Sequence, residues 1–308
     1  MIVRRALLLA AVLAFALPAG AQDVPKLRVL RGAFEFSEGV QYAQALGLFK
    51  KYGIDVDVQL INSGEAGAAA ILGGTADIGA ANVVTLVLSH DKGVGFTFIA
   101  PGAEYSGSAP TSAMIVAKNS PLRGPKDLVG KTVGVIALGD VNTIAVRAWL
   151  ERNGVDAKTV RFLELPNPQM SAAVDRGAVD AGIVSSPSLA PALQTCRVLG
   201  LPYSAIAEHF AINAWYARKE WVASHRDAVA RFTRAVTEAQ LWANKNHADS
   251  AKILVADAKL DPDLVATMTR ATFAPKLDDG LIQPLIDLMA KYGRIAAPFP
   301  AGDLYVNF

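Results

Sequence analysis

The sequence predicts an α/β protein built from two similar lobes, and three observations carry that expectation. The first is an internal repeat. Leu48-Phe-Lys-Lys-Tyr-Gly-Ile-Asp55 is answered by Leu150-Glu-Arg-Asn-Gly-Val-Asp156, and Gly74-Thr-Ala-Asp-Ile-Gly79 by Gly177-Ala-Val-Asp-Ala-Gly182. Gly53 and Gly154 stand 101 residues apart, Gly74 and Gly177 103 apart, so one supersecondary unit occurs twice. The second is the rhythm within each copy: helix, glycine stop, strand, polar loop, alanine-rich helix, Gly-x-x-Asp turn, short strand. Such alternation implies parallel strands joined by right-handed crossovers. The third is length, because 308 residues suffice for two cores of ordinary size. Two lobes whose strand ends face a common gap make a cleft, the natural place for a ligand.

Apolar residues make up 52% of the chain, yet the one long apolar run is N-terminal. Arg4-Arg5, Ala6 to Leu17 and Pro18-Ala-Gly-Ala21 have the charge, length and small-residue ending of a cleaved secretory signal, residues 1–21, cut before Gln22. The run is short of the ~20 residues a membrane span needs. No Cys follows the cut, which argues against a lipid anchor. Removing the segment takes away two Arg and no acid, so the formal charge falls from +2 to 0. A neutral chain with scattered charge offers no footprint for nucleic acid or an anionic membrane. Cys196 is the single cysteine, so no disulfide framework exists, and it is expected to be a small buried side chain. Export without disulfides suits a bacterial periplasm.

In chain order, Lys26–Arg31 alternates as a first strand, and Ser37 is placed to cap a helix running to Lys51 that Gly53 stops. Strands are expected at 55–61, 77–80, 96–101 and 113–117, with helices at 66–72 and 82–88 between them. Tyr105 to Pro110 reads as loop. The second copy gives strands at 131–136, 160–165 and 181–184, with a helix from Asn142 or Thr143 to Arg152 and another ending at Arg176. A strand at 212–217 is followed by a change of pattern: Val229, Phe232, Val236 and Trp242 recur at helical spacing, and shorter helices follow at 250–256, 262–271 and 280–292. No linker precedes this helical tail, so it is expected to pack on the first lobe. The organisation expected is one lobe from 26–112 and 214–308, a second from 113–213, and a two-strand hinge near 110–114 and 210–215.

The chain lacks the constellations that catalysis requires. No Gly-x-Ser-x-Gly elbow is present. Ser89-His-Asp-Lys92 has triad residue types, but neighbours in sequence cannot fold onto one another as a triad does. Gly130-Lys-Thr132 lacks the first glycine of a phosphate loop and leads into a strand instead of a helix. His90, His209, His225 and His247 have no ligand-type spacing. The expectation is a non-enzyme without cofactor or metal.

The candidate site comprises the loops at the carboxyl ends of the strands, 32–37, 62–65, 80–83, 137–143 and 185–188, where Gly, Ser, Thr and Asn stand beside helix N–H groups. The residues assigned to it are Phe34, Glu35, Phe36, Ser37, Ser63, Asn82, Tyr105, Gly139, Asp140, Asn142, Thr143, Ser185 and Ser186. Phe34 and Phe36 could cover an apolar ligand body. Glu35 has two open readings: facing the cleft it favours an amine or heterocycle N–H, and as an exposed loop residue it says nothing. Apart from Arg31 no arginine lies in these loops, which disfavours a ligand with two or more carboxylates.

With these residues placed, the chain resembles the solute-binding proteins of ABC importers in the sulfonate/nitrate/taurine, NMT1/THI5-like group. The segments that carry the resemblance are Gln44-Ala-Leu-Gly-Leu-Phe-Lys-Lys-Tyr-Gly-Ile-Asp-Val-Asp-Val, Gly73-Gly-Thr-Ala-Asp-Ile-Gly and Ser120-Pro-Leu-Arg-Gly-Pro-Lys-Asp-Leu-Val-Gly-Lys-Thr-Val-Gly-Val, and it extends from about Leu27 to Trp221. It implies a type II periplasmic binding fold that closes on one small molecule, an organic acid or sulfonate or a pyrimidine-like heteroaromatic, and delivers it to a permease. It also implies ligand contacts from Phe34–Ser37 and Gly139–Thr143. Nothing in the sequence indicates an oligomer, and a monomer is expected. The chain departs from the group in two loops, having Leu-Gly-Asp-Val-Asn-Thr where a sulfonate cradle would be rich in Ser and Thr, and Ile183-Val-Ser-Ser-Pro187 where many relatives carry Trp and an acid. The alternatives are a pyrimidine-precursor synthase-like enzyme, whose Cys-rich motif a single Cys196 cannot supply, and a ligand sensor without a transporter.

Overall fold

The computed structural model describes residues 24–32, 34–61 and 64–308, the side chains of 64 and 65 excepted. The signal segment and Ser63 lie outside these. Along the chain run β1 (Lys26–Arg31), α1 (Gly39–Ala45), α2 (Leu48–Lys51), β2 (Asp55–Leu60), α3 (Gly64–Leu72), β3 (Ile78–Asn82), α4 (Val83–Asp91), β4 (Phe96–Pro101), β5 (Ala103–Ser106) and β6 (Ser112–Ala117). The second copy supplies β7 (Thr132–Val135), α5 (Val141–Arg152), β8 (Arg161–Glu164), α6 (Met170–Asp175), β9 (Ala181–Ser185), α7 (Leu189–Ala192) and β10 (Cys196–Gly200). The chain closes with β11 (His209–Ala211), β12 (Asn213–Arg218), α8 (Lys219–Ser224), α9 (Arg226–Lys245), α10 (His247–Ala258), α11 (Pro262–Thr267), β13 (Thr272–Phe273) and α12 (Asp279–Lys291).

Two five-stranded sheets result, ordered β2-β1-β3-β12-β4 and β8-β7-β9-β6-β10. In each, the first three strands are parallel and the fourth is antiparallel to its neighbours. The lobes are therefore mixed sheets rather than wholly parallel ones, and β6 and β12, the antiparallel members, are the strands that arrive from the opposite lobe. The repeat has a structural cause. Gly53 and Gly154 take φ +67° and +75°, Gly74 and Gly177 both +73°, values that other residues adopt only at a cost. The motif aspartates then tie each third strand to its first: Asp77 Oδ2 accepts from Arg28 N at 2.9 Å, and Asp180 Oδ2 from Thr132 N at 2.8 Å.

Three local expectations are revised. Ser37 does not cap a helix; it ends a single 3-10 turn, and α1 starts after Glu38 and breaks at Gly47 (φ +67°) before α2. The residues from Tyr105 to Pro110 are not all loop, because β5 pairs with β11 through Tyr105↔Phe210 and also with β13, making a small three-stranded sheet beside the two crossings of the chain. α5 begins at Val141, with Asp140 as its N-cap.

The first lobe's core is centred on Trp215, fully buried against Phe232 of α9, which stacks on Phe49 with centroids 6.3 Å apart. Burying one such ring is worth about 1.5–3 kcal/mol, and the buried stripe Val229, Phe232, Val236 is what fixes α9 on this lobe. The later helices also reach the second lobe. α12 packs on both α4 and α5, α11 meets α7, and Lys291 pairs with Glu151 at 2.5 Å. No helix of the described residues is long and apolar enough to cross a membrane.

Candidate functional site

A cavity of about 330 Å³ opens between the two sheets. Residues at or just beyond the carboxyl ends of β1 (Gly32, Phe34, Phe36, Ser37), β2 (Ile61) and β3 (Asn82) line one side. Their counterparts beyond β7 (Ile136, Asp140, Val141, Asn142), β8 (Asn167) and β9 (Ser185, Ser186) line the other, with Ile212, Asn213 and Tyr203 beside the crossing strands. Parallel strands direct all these loops to one end of each sheet, which explains how Gly32 and Ser186, 154 positions apart, meet.

Of the residues assigned from sequence, Phe34, Phe36, Ser37, Asn82, Asp140, Asn142, Ser185 and Ser186 come together in this wall. Glu35, Tyr105, Gly139 and Thr143 do not line it. Glu35 is neither cleft-facing nor exposed: its carboxylate turns inward and meets the Arg270 guanidinium and the Ala271 N–H, 3.0 Å away. Tyr105 is fully buried beneath the hinge sheet, its hydroxyl 2.7 Å from Ser204 Oγ. Gly139 takes φ +89° and the Arg294 guanidinium occupies the space a Cβ would need. Thr143 spends its hydroxyl on Ala137 O at 2.7 Å. Arg31, the one arginine of these loops, is buried with Glu38 and Asp257.

Sequence reasoning passed over Ile61, Thr85, Ile136, Val141, Asn167, Tyr203, Ile212 and Asn213. The repeat carried a signal for Asn167, whose loop is the second copy of 62–65. The isoleucines read as core, and Tyr203 and Asn213 carried no local signal.

The polar lining is held by its own hydrogen bonds. Asn213 accepts from Ala103 N at 2.7 Å and donates to Phe36 O at 2.9 Å, tying the hinge to the aromatic loop. Asn167 exchanges bonds with both backbone groups of Ser185 at 2.9 and 3.1 Å. Tyr203 donates to Asn142 Oδ1 at 2.9 Å, and Asn142 Nδ2 donates to Asp140 Oδ2 at 2.6 Å. Thr143 N donates to Asp140 Oδ1 at 3.0 Å. Burial pushes the Asp140 carboxyl above its usual range despite these donors, and burial together with the Asp140 charge pushes the Tyr203 phenol up. The Ser37 hydroxyl and the Asn82 amide N–H groups form no hydrogen bond among the described residues and are free to meet a solute. No group of three His, Cys, Asp or Glu among the described residues could hold a metal ion.

Paired mixed sheets of equal topology around a shared cavity define the periplasmic binding protein fold, and solved structures agree. The periplasmic aliphatic sulphonate-binding protein SsuA of Escherichia coli superposes with a TM-score of 0.76 at 18% identity, over 91% of this chain and 97% of that one. The chain belongs to the NMT1/THI5-like family, whose model matches residues 37–250. The taurine-binding periplasmic protein of Escherichia coli K12 is 26% identical over 207 residues, 66% of this chain and 62% of its own length, short of two thirds of that relative. A binding protein of Brucella abortus strain 2308 is 23% identical over 291 residues, 86% of this chain and 84% of its own. Both relatives are described as binding proteins.

Proposed function

We propose that the protein captures a small organic solute in the cavity between its lobes, closes the lobes on it, and delivers it to the permease of an ABC importer. The lobes of this reading are 26–112 with 214–308, and 113–213, and the protein acts as a monomer in the periplasm after loss of residues 1–21. The observation that carries it is the symmetry of the cavity wall: Asn82 and Ser185, at equivalent strand ends of the two sheets, both line it. A solute touching both lobes favours the closed arrangement over the open one by the contacts it makes only there. The solute classes that the family resemblance suggests are an organic acid or sulfonate, or a pyrimidine-like heteroaromatic.

The test is a thermal-shift screen of the exported protein against alkanesulfonates, taurine, carboxylates, pyrimidines and amines. A solute at a hundred times its Kd adds about 2.7 kcal/mol and raises Tm by roughly 4–5 °C. Phe34→Ala with Asn142→Ala removes that rise and leaves the fold intact. A Tm unmoved by every solute, or an unchanged rise in the double variant, overturns the reading. N-terminal sequencing of periplasmic protein should begin at Gln22.

A further inference from the structure

Asp140 is the one charged side chain among the described residues lining the cavity. Each of its carboxylate oxygens accepts from a neutral donor, Thr143 N–H and Asn142 Nδ2, and no ion pair reaches it among the described residues. A carboxylate withdrawn from water without a cation is destabilised until one arrives. The neighbouring cations are engaged elsewhere or stand outside: Arg31 with Glu38 and Asp257, Arg270 with Glu35, and Arg294, exposed over Gly139, outside the lining. The helix N-termini that could take an oxyanion are filled from within the chain. Asp140 caps α5, and Asn82 Oδ1 caps α4 by accepting from Val84 N at 2.9 Å. A sulfonate entering here meets a negative charge where free N–H groups would have to be.

We propose that the solute carries a cationic nitrogen on an apolar body, that Asp140 binds the nitrogen, and that Phe34, Phe36, Ile61 and Ile212 enclose the body. The inference rests on the solute-binding reading and sets a cationic class in place of the acids and sulfonates. It reassigns to Asp140 the selection by charge that the sequence suggested for Glu35. The apolar lining disfavours small, strongly hydrated ions such as ammonium, because nothing would replace their water on that side.

Calorimetric titration with matched amine, alcohol and sulfonate on propyl, cyclohexyl and 2-phenylethyl skeletons tests it. On at least one skeleton the amine should bind roughly tenfold or more tighter than the alcohol, the ratio expected of a hydrogen bond to a charged partner, and the sulfonate weaker still. Asp140→Asn should abolish the preference for the amine while keeping the Tm within a few degrees, since asparagine caps a helix as well as aspartate does. A sulfonate that binds as tightly as its amine, an amine preference that survives Asp140→Asn, or no binding by any amine overturns the inference. In each case the wider solute screen decides separately whether the protein binds solutes at all: a hit among other classes keeps that reading, and silence removes it too.

Discussion

Glu35 and Arg270, 235 positions apart in the chain, form an ion pair in which each side chain is 8% exposed. Arg270 also donates to the His247 carbonyl at 3.1 Å and to the Tyr42 hydroxyl at 3.3 Å, so the loop after β1 is clamped to the tail. Burial raises the Glu35 carboxyl and the Arg270 charge draws it back. Arg270→Met leaves that carboxylate buried alone and is expected to cost about 3–5 kcal/mol, read from the denaturant midpoint. Adding Glu35→Gln should recover part of the loss.

Asp77 and Asp180 perform one task with unequal help. Asp77 holds Arg28 through its backbone N–H and through the guanidinium at 3.0 and 2.6 Å, and these bonds outweigh burial to keep its carboxyl below the usual range. Asp180 has the Thr132 N–H and a longer, exposed contact of 3.3 Å with Lys131. Asp180→Ala should cost about 1–3 kcal/mol, and Asp77→Ala about 1 kcal/mol more. Equal losses would show that the arginine fork adds nothing.

Glu38 gives stability a particular pH dependence. It is fully buried, pairs with Arg31 at 2.8 Å, and its carboxyl is pushed up to about 8, chiefly by burial and further by the Asp257 charge, with Arg31 opposing. Arg31 and Asp257, which pair with each other, are the charged groups around it, and Gln41 Nε2 donates to Asp257 at 2.6 Å. A carboxyl that holds its proton more tightly when folded contributes stability below its ordinary value of 4.5, and this is lost as pH climbs toward 8. The Tm should therefore fall between pH 5 and pH 8, and Glu38→Gln should flatten the profile. A wild-type slope of the opposite sign, or one unchanged in the variant, refutes this.

Asn213 is the polar joint between the hinge and the aromatic loop. Asn213→Ala strands the Ala103 N–H and the Phe36 carbonyl and should cost about 2 kcal/mol in thermal or chemical unfolding. Asn213→Asp keeps the acceptor for Ala103 but loses the donor to Phe36, so its cost should be concentrated in solute affinity.

The repeat made most of the fold legible. Glycine stops, alternating strands and the Gly-x-x-Asp turn are local devices, and β1 and β4 fall where alternation and apolar runs place them. The hinge sheet was hidden because its members are two to four residues long and pair across gaps of more than a hundred positions. The cavity wall was legible at several polar residues around the strand ends, as at Asn82, Asn142 and Ser185, though not at Asn167. It was illegible where apolar side chains look like core, as at Ile61 and Ile212. Glu35 was misplaced because the partner that turns it inward lies in a tail helical by pattern and silent about charge.

The unequal wiring of the two sheets has a consequence for synthesis. β6 to β10 all lie between Ser112 and Gly200, so the second sheet is complete once that stretch has emerged. The first sheet cannot join β3 to β4 until β12, ending at Arg218, is inserted between them, and the third strand of the hinge sheet waits for Phe273. A chain emerging from its N-terminus thus assembles its middle before its beginning, and β1 to β4 stay an open template until more than two thirds of the residues have arrived.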